Sequence, residues 1–227
     1  MNGDRHKIFG VKMKDIPILF ENHDCIVLNK PAGLPVQGGA GVGISLDCLL
    51  AENFPHRPLL VHRLDKDTSG IILVAKHKSA AAGFSALFSN GKGIKKQYIG
   101  VCAGKPKNDS GNIKLDLEIR GKVKKSETAY KLLSGNQDFS LLELELGTGR
   151  MHQIRRHLAE TGNPILGDDK YGDFTLNKKL RKTHGLKRLL LHSSRLVITE
   201  KASGFHLDIT APLPDYFSPF THIHSQD

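Results

Sequence analysis

Apolar and polar positions along this chain alternate in short segments, more of them strand-like than helical. Cys25-Ile26-Val27-Leu28 is a continuous apolar run of strand length, and residues 71–74 form another, the pattern of buried strands. Ile113, Leu115, Leu117 and Ile119 alternate with Lys114, Asp116 and Glu118, the period of a half-exposed strand. Residues 97–102, 189–198 and 205–209 read as further strands. Residues 128–133 and 139–146 read as a hairpin around Ser134-Gly135-Asn136. Helical spacing is rarer. Ser45 stands as a cap before Leu46, Leu49 and Leu50, which share one face. Ala80, Phe84, Leu87 and Phe88 recur at helical spacing and Asn90-Gly91 closes that segment. Residues 150–160 read as a helix stopped by Gly162, and 177–187 as a basic helix or loop.

Punctuation sets the rest. Asn29-Lys30-Pro31-Ala32-Gly33-Leu34-Pro35 is a turn. The glycine-rich stretch 38–43 is a flexible loop and not a phosphate-binding P-loop, because no Gly-Lys-Ser/Thr follows. Residues 1–15 read as a flexible basic arm and 16–227 as one domain, or two small lobes sharing a sheet. Many strands with few interspersed helices predict an α+β fold around a mixed, mostly antiparallel sheet.

Composition narrows the function classes. No apolar run approaches the ~18 residues of a membrane span, and the N-terminus lacks the apolar core and cleavage site of a secretory signal. The three cysteines, Cys25, Cys48 and Cys102, are far apart and form no CxxC. They read as buried structural thiols in a reducing cytoplasm. A net charge of +10, from 33 basic and 23 acidic residues, points to a polyanionic partner such as nucleic acid.

The densest chemistry lies in Leu60-Val61-His62-Arg63-Leu64-Asp65-Lys66-Asp67-Thr68-Ser69-Gly70, ahead of the apolar run. Asp65 is placed between an arginine and a tight turn, with a buried strand behind it. In extended backbone Arg63 and Asp65 share a face. An adjacent arginine keeps a carboxylate ionised, as a nucleophile requires. Taken blandly, Asp65 is a turn former or salt-bridge partner. A second cluster is His152-Gln153-Ile154-Arg155-Arg156-His157. Its polar residues cover most of a helix circumference, so this helix is expected to face RNA or a site as well as water. Tyr98 follows Lys95-Lys96-Gln97; its bland reading is core, and the lysines suit phosphates. No GxSxG, HExxH or paired Cys/His cluster suggests a hydrolase triad or a metal.

Taken together, Asn29-Lys30-Pro31-Ala32-Gly33, the HRLDxxTSG stretch, KxY at Lys96–Tyr98, HQIRxH and Leu189-Leu190-Leu191-His192 resemble, in this order, the pseudouridine synthases of the RluA branch, which isomerise uridine in structured RNA. The resemblance runs over residues 26–211. It implies that Asp65 is the nucleophile, that Tyr98 stacks on the target base and moves a proton, and that Arg155 pairs with Asp65. Leu191 is implied as an apolar wall of the uracil pocket. His62 or Arg63 would fill the gap left by a flipped uridine, while Arg156 and Lys96 would contact phosphates. No cofactor is implied. RNA is the implied partner, with a monomer acting in the cytoplasm. The stretch 164–173 looks most like members acting on large-subunit ribosomal RNA. Those usually carry an N-terminal S4 domain, for which the residues before Asn29 are too few. A tRNA substrate, a non-catalytic RNA-binding or ribosome-assembly protein, and a glycosidase using Glu143, Glu145 or Asp168 as a second acid are the competing expectations.

Overall fold

The structure, a computed structural model, describes residues 11–39, 43–119, 121–200 and 204–221. Its contacts divide the chain into two compact units, Met1–Ser85 and Ala86–Asp227.

The first unit is built on β2 (Cys25–Lys30) and β4 (Ser69–Ala75), antiparallel with Cys25 opposite Ala75 and Lys30 opposite Gly70. Both runs are nearly or wholly buried, which is why they lack alternation. β1 (Ile18–Glu21) pairs with β2, and the two-residue β3 (Leu59–Leu60) pairs with β4. Helix α1 (Leu46–Asn53) begins as expected, with Ser45 Oγ accepting from the Cys48 N–H and Leu46, Leu49 and Leu50 buried. Of the expected basic arm, residues 1–10 lie outside the described residues. Its end, Met13–Asp15, forms a 3-10 turn with Met13 buried. The glycine loop falls partly outside the described residues, at 40–42. Helix α2 (Lys78–Asn90) carries the boundary between the units, and Gly91 (φ 71°) closes it.

In the second unit β5 (Ile94–Ala103) is central. β10 (Phe139–Leu146) and β11 (Leu191–Glu200) flank it, followed outward by β9 (Glu127–Gly135) and β6 (Ser110–Lys114) on one side and β12 (Phe205–Thr210) on the other. Each of these pairings is antiparallel. The hairpin β9–β10 turns at Asn136, whose Oδ1 accepts from the N–H groups of Asp138 and Phe139. The alternating segment 113–119 breaks at Asp116 into β6 and β7 (Leu117–Ile119). β7 pairs with β8 (Lys122–Lys124) instead of β9. Helices α3 (Gln153–Glu160) and α4 (Phe174–Thr183) complete the unit. Val101, Phe139, Leu180, Leu190, Phe217 and Phe220 belong to one core cluster of this unit. The α+β expectation holds. Among the described residues no helix is long and apolar enough to cross a membrane. One thiol reading is corrected: Cys25 and Cys102 are buried, but Cys48 is exposed, because it stands on the outer face of α1.

Candidate active site

Asp65 sits in the connection from β3 to β4, half-buried between buried Leu64 and buried Thr68. Its own carbonyl accepts from the Thr68 N–H at 3.2 Å, closing a turn. Gly70 enters β4 at φ 106°, a conformation that L side chains rarely adopt, and this makes the glycine of Thr-Ser-Gly necessary.

The turn is held from beneath by the Asn29–Gly33 segment. Gly33 (φ 87°) donates its N–H to the Lys66 carbonyl at 2.8 Å. Lys30, with no exposed surface, donates its ammonium to the carbonyls of Pro31, Leu34 and Lys66 at 3.0, 2.9 and 3.0 Å. Burial lowers the Lys30 ammonium from its ordinary 10.5 to about 7, against the opposing pull of Asp67 and Asp65. The sequence reads this segment as a turn. It did not single out Lys30, because a lysine beside proline looks like a surface turn residue.

His62 and Arg63 differ in position. His62 Nε2 accepts from the Leu73 N–H at 2.9 Å, extending the edge of β4 beyond β3. Arg63 is exposed, with Nη1 3.3 Å from Gln37 Oε1.

In the second unit, sheet register gathers three of the expected residues. Lys96, Tyr98 and Gly100 lie on one face of β5. Tyr98 stands opposite Leu144 of β10 and Ser193 of β11, and Gly100 stands opposite Leu191. Tyr98 and Leu191 are therefore diagonal cross-strand neighbours. The missing side chain at Gly100 makes room for Leu144 and Leu191: a Cβ there would lie 3.0 Å from Leu144 Cδ1 and 3.6 Å from Leu191 Cδ1. Tyr98 and Leu191 are both buried, in line with the bland reading of each as core as well as with a pocket wall. Burial lowers the Lys96 ammonium.

Arg155 is the pivot of the HQIRxH segment. Its Nε and Nη2 donate to Asp168 Oδ2 and Oδ1 at 2.7 and 2.8 Å, with 5% and 1% of the two side chains exposed. Asp168 Oδ1 also accepts from the N–H groups of Lys170 and Tyr171. Burial pushes the Asp168 carboxyl up, but Arg155 and these two N–H groups outweigh it, and the net shift is downward. The Arg155 guanidinium lies 5.3 Å from the centre of the Tyr171 ring. The Tyr171 hydroxyl is 3.1 Å from His152 Nδ1. His152 caps α3 at φ 54°, the sole non-glycine residue with positive φ among the described residues. Sequence reading misses Tyr171 and places Asp168 only as a competing second acid, not as the partner of Arg155; the signal for both is the stretch 164–173.

The rest of the segment narrows the expectation of a helix facing RNA or a site as well as water, because part of its polar surface is turned inward. Gln153 and His157 are buried against protein. Gln153 Nε2 donates to the Glu127 carbonyl and to Thr128 Oγ1, while its Oε1 accepts from Thr148 Oγ1 and the Arg150 N–H. His157 Nε2 meets Ser126 Oγ at 2.8 Å, and burial lowers its pKa. A polar helix face is compatible with burial because β9 and its flanks supply matched partners. Arg156 is half-buried, and its Nη1 donates to the Glu118 carbonyl at 3.1 Å. Asp168, engaged on both oxygens, is not a loose acid for activating water, and Glu145 pairs with Lys95 at 3.0 Å.

Asp65 thus belongs to the first unit, and Tyr98, Arg155, Leu191, Lys96 and Arg156 to the second. Comparison with known proteins adds an independent line. A family model described as RNA pseudouridylate synthase matches residues 24–160. A protein of Rickettsia bellii named ribosomal large subunit pseudouridine synthase C is 36% identical over 218 residues, 88% of this chain and 69% of that protein. A protein of the same name from Escherichia coli O157:H7 is 35% identical, over 87% of this chain and 66% of its own length. The solved structure of human RNA pseudouridylate synthase domain containing 4 superposes with a TM-score of 0.75 at 26% identity, covering 90% of this chain and 91% of that one.

Proposed function

The chain belongs to the RNA pseudouridylate synthase family, and on that premise we propose that it isomerises particular uridines of large-subunit ribosomal RNA with Asp65 as nucleophile. The observation that carries the assignment to Asp65 is its support. The turn that presents it is fixed at Lys66 by both Gly33 and Lys30, so a half-buried carboxylate is held on a rigid base. Large-subunit RNA is favoured over tRNA by the relatives' names, together with the likeness over most of the chain.

The reaction breaks the bond from uracil N1 to C1′ and forms one from C5 to C1′. N1 gains a proton, C5 loses one, and no electrons are exchanged. In this reading the basic surface docks the RNA through its phosphates, and the target uridine leaves its stack. Arg63 suits the vacated gap better than His62, because it is exposed while His62 is bonded to the edge of β4. Asp65 attacks and holds the sugar or ring while uracil turns over. Tyr98 and Leu191 bound the base, and the Tyr98 hydroxyl carries the C5 proton away. Arg155, oriented by Asp168, directs the Asp65 carboxylate. Lys96 and Arg156 meet phosphates. The catalytic domain is residues 16–227, acting as a monomer in the cytoplasm.

The test is tritium release from C5-labelled uridine in unmodified large-subunit RNA and, separately, in tRNA. Asp65-dependent release from the ribosomal RNA, without free uracil, is the expected result. Release from tRNA alone would move the substrate to that class. Binding without release, unchanged in Asp65→Asn, would favour a non-catalytic RNA-binding protein.

A further inference from the structure

Three metal-ligating side chains meet at one end of the first unit, on residues that the proposed chemistry does not use. Asp24 immediately precedes β2, and His77 follows β4 by two residues. β2 and β4 are paired up to Cys25 and Ala75, and the Lys76 N–H donates to the Asp24 carbonyl at 2.8 Å, so the end of the ladder fixes both backbones. The turn before β2 is also fixed: Asn22 Oδ1 accepts from the N–H groups of Asp24 and Cys25 at 2.9 and 2.8 Å. That turn brings His23 to the same place. His23 Nδ1 and His77 Nε2 each lie 3.0 Å from Asp24 Oδ1, and one ligand atom from each residue falls within 4.8 Å of the others.

We propose that His23, Asp24 and His77 form a binding site for a divalent transition-metal ion, Zn²⁺ foremost, with water completing the shell. The donor set decides the class. Two imidazoles and one carboxylate suit zinc and its neighbours, whereas magnesium and calcium ask for oxygen ligands throughout. The spacing fits as well. Zinc bonds of about 2.1 Å place neighbouring tetrahedral ligands roughly 3.4 Å apart, and each N···O pair here is at 3.0 Å.

His77 is oriented for this role. Its Nδ1 accepts from the Ala80 N–H at 3.3 Å and lies 2.8 Å from Ser79 Oγ. The ring is thereby fixed with Nε2 facing the Asp24 carboxylate at 3.0 Å, where a bound metal ion would take the place of the Nε2 proton. The bound ion would join the turn before β2 to the start of α2. Sequence spacing concealed the site, because His77 lies 53 residues from Asp24.

The experiment is calorimetric titration of the EDTA-treated, dialysed full chain with ZnCl₂, with the visible absorption of Co²⁺ as a second readout. The chain holds twelve histidines, so the variants carry the discrimination. His23 is 88% exposed at its side chain and Asp24 44%, so His23→Ala and Asp24→Asn leave the core untouched. One equivalent of Zn²⁺ is expected to bind the native chain, at least tenfold more weakly in each variant, with a tetrahedral Co²⁺ spectrum lost in both. Absence of binding by the native chain overturns the proposal, as does native affinity in His23→Ala.

Discussion

Arg155 and Asp168 are joined by two parallel hydrogen bonds of 2.7 and 2.8 Å inside the second unit, with almost no solvent on either side chain. An arginine fork on a carboxylate fixes direction as well as charge. The pair locates Arg155 within the unit before any substrate arrives.

Asp168→Asn keeps the size of the side chain but leaves the Arg155 charge buried against a neutral partner. The expected loss is about 3–5 kcal/mol, read by urea unfolding of variant and native protein. Tritium release should also fall under conditions where the variant remains folded. An unchanged urea midpoint would show that Arg155 draws its support from elsewhere.

Lys30→Met fills the same space without a donor. The Leu34 carbonyl then loses the ammonium, while the Lys66 carbonyl keeps only the Gly33 N–H. A cost of about 1–3 kcal/mol is expected, together with slower catalysis through a loosened Asp65 turn. The pH dependence separates this from a packing defect. Between about 7 and 10.5 the unfolded chain holds a proton that folded Lys30 has released. Native stability therefore gains from this group as pH rises through that window. Chemical unfolding at pH 7 and pH 10 should show the gain in the native chain and its loss in Lys30→Met.

His192 supplies an acid-side counterpart. It is wholly buried, with the Phe217 ring centre 6.3 Å away. Burial lowers its pKa from 6.5 to about 4, with the Ala211 backbone opposing. Between those values the unfolded chain binds a proton that the folded chain refuses. Stability from this group is complete above pH 6.5 and is lost as pH falls toward 4, by roughly 3 kcal/mol. His192→Gln should flatten that limb in unfolding measured at pH 7, 5.5 and 4.5; the same slope in the variant would assign it to other groups.

Gly100→Val tests the wall beside Tyr98. The added carbons meet Leu144 and Leu191 at or inside contact distance. A stability cost of about 1–3 kcal/mol is expected from overpacking. If Leu191 bounds the uracil, displacing it by an ångström should slow release roughly 100-fold. Single-turnover rates on folded variant measure this, and a native rate would remove Leu191 from the pocket.

Much of this protein was legible along the chain. Continuous apolar runs gave β2 and β4, helical spacing gave α1 and α2, and Ser45 and Gly91 marked helix ends, because burial period and capping are local properties. The spacing of Asp65, Thr68 and Gly70 was legible for the same reason: a tight turn must be written in consecutive residues. Tertiary structure decided what each polar side chain meets. Arg155 finds Asp168 thirteen residues on, and Lys30 finds the Lys66 carbonyl thirty-six residues on. Gln153 and His157 of α3, whose polar surface reads from sequence as turned toward RNA or a site as well as water, are buried because β9 and its flanks offer partners to the Gln153 amide and to His157 Nε2. Periodicity records which positions leave water. It carries no record of the group waiting on the other side, since that group arrives through strand pairing between distant parts of the chain.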